Sequence, residues 1–364
     1  DVLKDGSAAA IYGTRGTNGV IIITTKRAHA NIRSHVEYSH YLGTQAIRKK
    51  TDVLDADDYR RLIAEGAIGA SHDYGGSTNW LDEISRTPLI QNHNLTIKGG
   101  NQQTNYLLSL MYNNSEGIFK KSYRERLSAR ADVNHSMFDG VVQLNVGILS
   151  RNDNSSSFSN NIFRLVNQYH PTIPVKDDDG KWYEAGIFEV ENPVARIMEQ
   201  DNSSSSLFNR INGTVTINPI KGLSLKGLMS FSKYHQQGGW YETQNHISTV
   251  RDGRKGAASV NATQNVERLV NLTAEYRNKI NDHNFTLLTG YSYEDYDGRN
   301  HSMYNTDFPT DIFGQHNIGL GQAISKGSTF WDMNSYRGVT NLIGFFGRVN
   351  YNYKDRYLFM ASLR

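Results

Sequence analysis

From His93 onward the chain is written largely in period two. Leu95 and Ile97 alternate with Thr96 and Lys98, and Tyr106, Leu108, Leu110 and Tyr112 share one face of the next run. Leu127, Ala129, Ala131 and Val133 alternate with Arg126, Ser128, Arg130 and Asp132, and Val142, Leu144, Val146 and Ile148 alternate with Gln143, Asn145 and Gly147. This alternation predicts strands with one apolar and one polar face. Turn signals at 99–101, 139–140, 218–222, 281–283 and 353–356 close hairpins. With a first strand in 31–43, about eleven strands are expected, most about ten residues or longer, against a globular mean of ~5–6. The other connections are long and polar: 44–91, 114–123, 152–206, 236–265 and 297–340. A short helix is expected in the first of these, over 52–64, with Asp55 as its cap and Tyr59, Leu62 and Ile63 as its apolar stripe.

Tight turns at one rim and long loops at the other are the pattern of a transmembrane antiparallel β-barrel. Hydrocarbon supplies no hydrogen-bond partners, so a spanning sheet closes on itself, turns aliphatic side chains outward and keeps polar groups in its lumen. Arg126, Arg130, Asp132, Gln143, Asn145, Thr214, Thr216, Lys226, Asn271, Thr273 and Glu275 are the expected lumen-facing set. A soluble β-sandwich also alternates, with its polar face outside. Strand length, the asymmetry of the loops and tyrosines near strand ends favour the barrel.

The first 27 residues are different. Ser7 to Tyr12 suit one or two helical turns, with Ser7 as N-cap and Gly13 as the stop; Gly16 and Gly19 turn the chain. Val20 to Thr25 then read as a strand covered on both faces, since its first four residues do not alternate. The glycine spacing is not a nucleotide loop, because a dinucleotide loop follows a strand and opens a helix, and no Gly-Lys-Ser/Thr is present. The stretch VLKDGSAAAIYGTRGTNGVIIITTK resembles the closing motif of the plug domain of TonB-dependent outer membrane transporters, the SusC/RagA-like branch in particular. Trp80–Ile84 leading to Gln91–Leu95, then Gly99–Asn101 through Thr104–Tyr106, with Glu116–Ile118 beyond, carry the same likeness.

The resemblance implies a C-terminal piece of an α+β plug in 1–28, with Tyr12, Gly13, Arg15, Gly16 and Gly19 as its motif, and the N-terminal half of the barrel in 29–364. Barrels of this kind have about 22 strands, so about eleven form half a wall, and the chain is read as a fragment. It further implies import of oligosaccharides or peptides, energised by the TonB complex through a box outside this chain, under a SusD-like surface lipoprotein. A siderophore or metal-chelate receptor is the alternative. Arg15 and Lys4 are the expected plug partners of lumen acids such as Asp132 or Glu275.

Composition adds limits. A net charge of +3 gives no case for nucleic acid, and the absence of cysteine excludes disulfides and thiolate metal sites. Asp177–Lys181 is acidic but lacks the spacing of a calcium loop, so a solvated hairpin turn is expected there. The histidines show no zinc spacing, the serine run 203–206 reads as flexible loop, and Asn94, Asn212 and Asn271 are chance glycosylation triplets within strands. No catalytic constellation is recognisable, so no enzyme, metal or cofactor is expected. Trp182, Tyr183, Trp240, Tyr241, Phe313, Phe330 and Trp331 fall in the outer loops. There they either touch substrate or partner or pack within the loops.

Overall fold

The computed structural model describes residues 2–3, 16, 18–22, 33–158, 161–186 and 191–364. Alternation of apolar and polar positions produces one antiparallel sheet of eleven strands, each paired with its sequence neighbours. They are β3 (His35–Thr44), β4 (Leu89–Gly100), β5 (Thr104–Glu116), β6 (Tyr123–Met137), β7 (Val142–Ser156), β8 (Gln200–Ile220), β9 (Leu223–Glu242), β10 (Ala257–Ile280), β11 (His283–Thr306), β12 (Asp332–Tyr353) and β13 (Tyr357–Leu363). The pair β1 (Val2–Leu3) and β2 (Val20–Ile21) stands apart as a two-stranded sheet.

The hairpin turns sit where the sequence placed them. Lys354 and Asp355 both take φ near +54, the mirror-image geometry that a two-strand twist prefers. Gly222 has φ +86, and a Cβ there would lie 2.2 Å from the Arg277 carbonyl oxygen, so this turn requires glycine. The helix α1 (Ala56–Ala64) is capped by Asp55, whose Oδ1 accepts from the Asp58 N–H at 2.9 Å while Asp58 accepts from the Asp55 N–H at 3.3 Å.

Register shows where the apolar face lies. Ile148 pairs with Ile211, Ile211 with Phe231, Leu272 with Gly227 and Tyr291, and Tyr291 with Phe345. This face is uncovered: Leu108 is 42% and Leu272 47% exposed, and Leu144 is half-buried. On β9 it runs from Leu223 to Phe231 before Lys233, on β11 from Phe285 to Tyr293 before Asp295, and on β12 from Ile343 to Tyr353 after Asn341. Those spans match the ~9–11 residues that carry a tilted strand across hydrocarbon.

The strands overrun that band, which corrects the sequence reading. At ~3.3 Å per residue the 24-residue β10 and β11 reach ~80 Å along the strand, far more than a bilayer needs. The long connections shrink to 45–88, 117–122, 157–199, 243–256 and 307–331. Ser203 to Ser206 are not loop but part of β8, paired with β9. Alternation disappears above the lipid because neither face meets hydrocarbon, while backbone pairing continues regardless of side chain. A second correction concerns β2: Ile21 is 71% exposed, so the strand is not covered on both faces, and no further strand pairs with this two-stranded sheet among the described residues.

Among the described residues the lipid-level part of the sheet has no buried apolar interior of its own, and the packed core lies in the loops and the strand ends that meet them. Trp80 and Ile84 of α2 (Trp80–Ile84) meet Ile162, Leu165 and Val166 of α3 (Asn161–Gln168), Tyr169, Ile173, and Val194 and Ile197 of α4 (Pro193–Met198). A smaller cluster joins Tyr241, Ala258 and Phe308.

Candidate functional site

The polar face of the sheet and the loop cap above it form the candidate site. Residues opposite those of the apolar face line up in cross-strand rows. Asn134 donates to Asn105 and receives from Asn145, both at 2.8 Å, an amide ladder over β5, β6 and β7. Arg130 pairs with Asp132, Lys98 with Glu37 at 2.6 Å, and Glu275 with Arg277 at 2.6 Å. Such groups are tolerated because this face is wet, where exchange with water costs little.

Higher on β6 and β7 the charges become unequal. Asp153, 7% exposed, accepts from Arg126 at 2.6 Å and from Arg124 at 3.1 Å, and forms an ion pair with Arg151, whose Nε lies 2.9 Å away without a hydrogen bond. One carboxylate thus serves three guanidinium groups. Arg151 also stacks on Phe208 at 5.4 Å, and Arg210 lies at 5.1 Å from the same ring.

The cap is tied together by buried polar bonds. Asn192 donates to the Val175 and Tyr183 carbonyls and caps α4 by accepting from Val194 and Ala195. Glu191 joins Arg196 of α4 to Arg251 of α5 (Ile247–Arg251), tying the two upper loops together. Burial pushes the Glu184 carboxyl up to about 7, against the Asn192 N–H at 3.1 Å, which favours the anion. Burial lowers His246 below the usual histidine range, with Glu242 opposing.

The residues singled out from the sequence separate cleanly. Arg126, Arg130, Asp132 and Glu275 all project from the polar face, but their acids bond to neighbouring arginines of the wall. Tyr12, Gly13 and Arg15, like Lys4, lie outside the described residues. Gly19 donates to the Gly16 carbonyl at 2.9 Å with φ +93, a turn that needs glycine. Among the loop aromatics, Trp182 donates to Glu199 at 2.6 Å beneath the Lys176 ammonium, and Tyr183 packs on the loop core. Tyr241 is buried, its hydroxyl donating to Asp311 at 2.7 Å. Trp240 is half-buried beside Tyr304, and Trp331 is 40% exposed. Asp177–Lys181 forms a hairpin turn closed by the Asp177 N–H to the Lys181 carbonyl at 2.8 Å. Arg124, Arg151, Asp153, Phe208 and Arg210 escaped the sequence reading. The available signal was the polar member of the β6 and β7 alternation, continued past Ile148.

An uncovered aliphatic band on one face, a polar face opposite and loops at one rim define the wall of an outer membrane β-barrel. No family model matches the chain. It is 27% identical to TonB-dependent receptor P3 of Formosa agariphila and 26% identical to TonB-dependent receptor SusC of Bacteroides thetaiotaomicron, each over 100% of this chain and over 36% and 38% of the relative. The structure of the RagAB peptide transporter superposes with a TM-score of 0.80 at 21% identity, covering 99% of this chain and 45% of that one. Over its whole length the chain is similar to SusC/RagA-like TonB-dependent receptors, which are outer membrane proteins, and it spans well under half the length of these relatives.

Proposed function

We propose that this chain contributes part of the wall of a nutrient importer energised by TonB and working with a SusD-like lipoprotein that covers its outer mouth, its solutes being oligosaccharides or peptides. The observation that carries this is the division of labour in the sheet. One face meets lipid, the other is a wet corridor of exchangeable polar groups, and the long loops at one rim carry a packed core of their own. The motif residues Tyr12, Gly13, Arg15, Gly16 and Gly19 belong in this reading to the plug, and the boundary near residue 28 separates plug from wall. Exposed Trp331 and half-buried Trp240 are the outer aromatics best placed to meet a solute or the lipoprotein. Import is driven by the proton gradient, and the wall supplies a path and not chemistry. Growth and uptake of labelled oligosaccharides and peptides are measured in strains lacking this gene, the adjacent lipoprotein gene or TonB. The reading expects one solute class to be lost in all three; uptake independent of TonB overturns it.

A further inference from the structure

We infer that the arginine cluster high on β6, β7 and β8 is a binding site for anionic groups, and that it recognises an acidic oligosaccharide through its carboxylate or sulfate substituents. The inference deepens the import reading by naming a substrate class, and it rests on that reading for the solute's route.

Arg124, Arg126, Arg130, Arg151 and Arg210 share one stretch of the polar face of β6, β7 and β8 in which, among the described residues, the acids are Asp132 and Asp153. Asp132 bonds to Arg130, and Asp153 is divided among Arg124, Arg126 and Arg151. Three guanidinium groups around one carboxylate retain about two uncompensated charges, and a planar fork satisfies a second carboxylate or sulfate as well as it satisfies Asp153. The cluster remains reachable: the side chains of Arg124 and Arg151 are 54% and 36% exposed, whereas that of Asp153 is 10%. The resident acid therefore lies below, and of the three arginines Arg124 is the most open and Arg126, at 24%, the least.

Position and neighbours narrow the ligand. Ser128 pairs with Arg151, whose opposite on β8 is Phe208, followed across the sheet by Tyr234 and Asn265. Arg126, Asp153, Ser206 and Gln236 form the row above. Flat rings, amides and hydroxyls beside guanidinium groups suit a sugar ring carrying an anionic substituent. Opposite these rows the apolar face ends, with Ile148 giving way to Ser150 and Phe231 to Lys233. The cluster consequently lies just above the lipid band.

The test uses the full-length protein in detergent and the probe tetragalacturonate, with its fully methylated ester and tetraglutamate as comparisons, titrated by calorimetry at two salt concentrations. Binding of tetragalacturonate about tenfold or more tighter than the ester, weakening with salt, is the expected result. Arg126→Gln with Arg151→Gln is expected to lose about tenfold or more, as for removal of charge-assisted bonds. Asp153→Asn is expected to tighten binding, a direction that damage to the wall does not produce. Heat-modifiable migration shows whether each variant is folded, and Arg210→Gln serves if the double variant is not. Equal affinity for ester and acid, no change in Asp153→Asn, or preference for tetraglutamate overturns the proposal. Absence of probe binding accompanied by barrel leakage in the arginine variants also overturns it, assigning the cluster to the plug. These measurements require no transport, so uptake that fails while binding persists separates failure of the import reading from failure of the site.

Discussion

Replacing Leu165 by alanine tests whether the loop cap and the membrane wall are separate units of stability. Leu165 is 1% exposed and sits among Trp80, Ile84, Ile162, Val166, Tyr169 and Ile197. Removing its branch loses ~2.4 kcal/mol of transfer free energy at ~0.8 kcal/mol per buried carbon. A cavity term adds to this, because the surroundings are pinned. The Trp80 indole donates to the His170 carbonyl at 3.1 Å, and Asn192 holds the far side by four bonds. We therefore place the cost at about 3–4 kcal/mol, within the range for buried leucine truncations. A loss of ~3 kcal/mol multiplies the open fraction of the cap by ~150, which limited proteolysis reads directly when reclosing is fast. Trypsin has Arg164, Lys176, Lys181 and Arg196 within the cap. Cleavage there should accelerate by about two orders of magnitude while the heat-modifiable migration of the barrel is unchanged, since the wall is held by strand pairing. Acceleration under threefold, or loss of the barrel together with the cap, refutes the reasoning.

Charge placement supplies a further prediction. Leu272→Arg on the apolar face should cost ~2–4 kcal/mol and lower outer membrane assembly, whereas Thr273→Arg on the polar face should be nearly neutral, read as folded barrel per cell. A pH dependence follows from Glu184, whose carboxyl is raised to about 7 from an ordinary 4.5. The folded cap holds this proton more tightly than the open cap, so its protease resistance is greatest below pH 4.5, declines as pH rises to 7 and then levels. Glu184→Gln should remove that slope, as followed by cleavage rates across pH. Asp55→Ala removes the acceptor of the α1 cap and should cost ~1 kcal/mol of local stability, measured by hydrogen exchange in 56–64.

Much of the wall was legible because lipid enforces alternation. Leu95 to Ile97, Leu127 to Val133 and Val142 to Ile148 fall within observed strands, and each expected turn overlaps the connection between the strands it was assigned to join, although 99–100 and 218–220 belong to strand ends. Strand ends were not legible. Ser203–Ser206, Gln236–Glu242 and Ala257–Asn265 are paired strand with no one-sided apolarity, because above the lipid the ladder alone dictates conformation. The same blindness hid the arginine cluster, since Asp153 lay beyond the expected end of its strand and Arg124 belongs with it only through cross-strand register. The loop core was invisible for another reason: Trp80, Leu165 and Ile197 are far apart in sequence and meet through short helices whose apolar residues do not predict their partners. The barrel itself was read both from the pattern and from the plug-end resemblance, whose motif residues 12, 13 and 15 lie outside the described residues.

The measurement that bears most directly on the whole account is a spin-label scan of β10. The sequence has no cysteine, so single cysteines at 270 to 276 report without background. In reconstituted bilayers the labels at 270, 272, 274 and 276 should collide with oxygen dissolved in the lipid, and those at 271, 273 and 275 with a water-soluble nickel chelate, in strict alternation. Nickel access at 272 equal to that at 273, or a label at 272 shielded from both reagents, would contradict the assignment of this face to lipid.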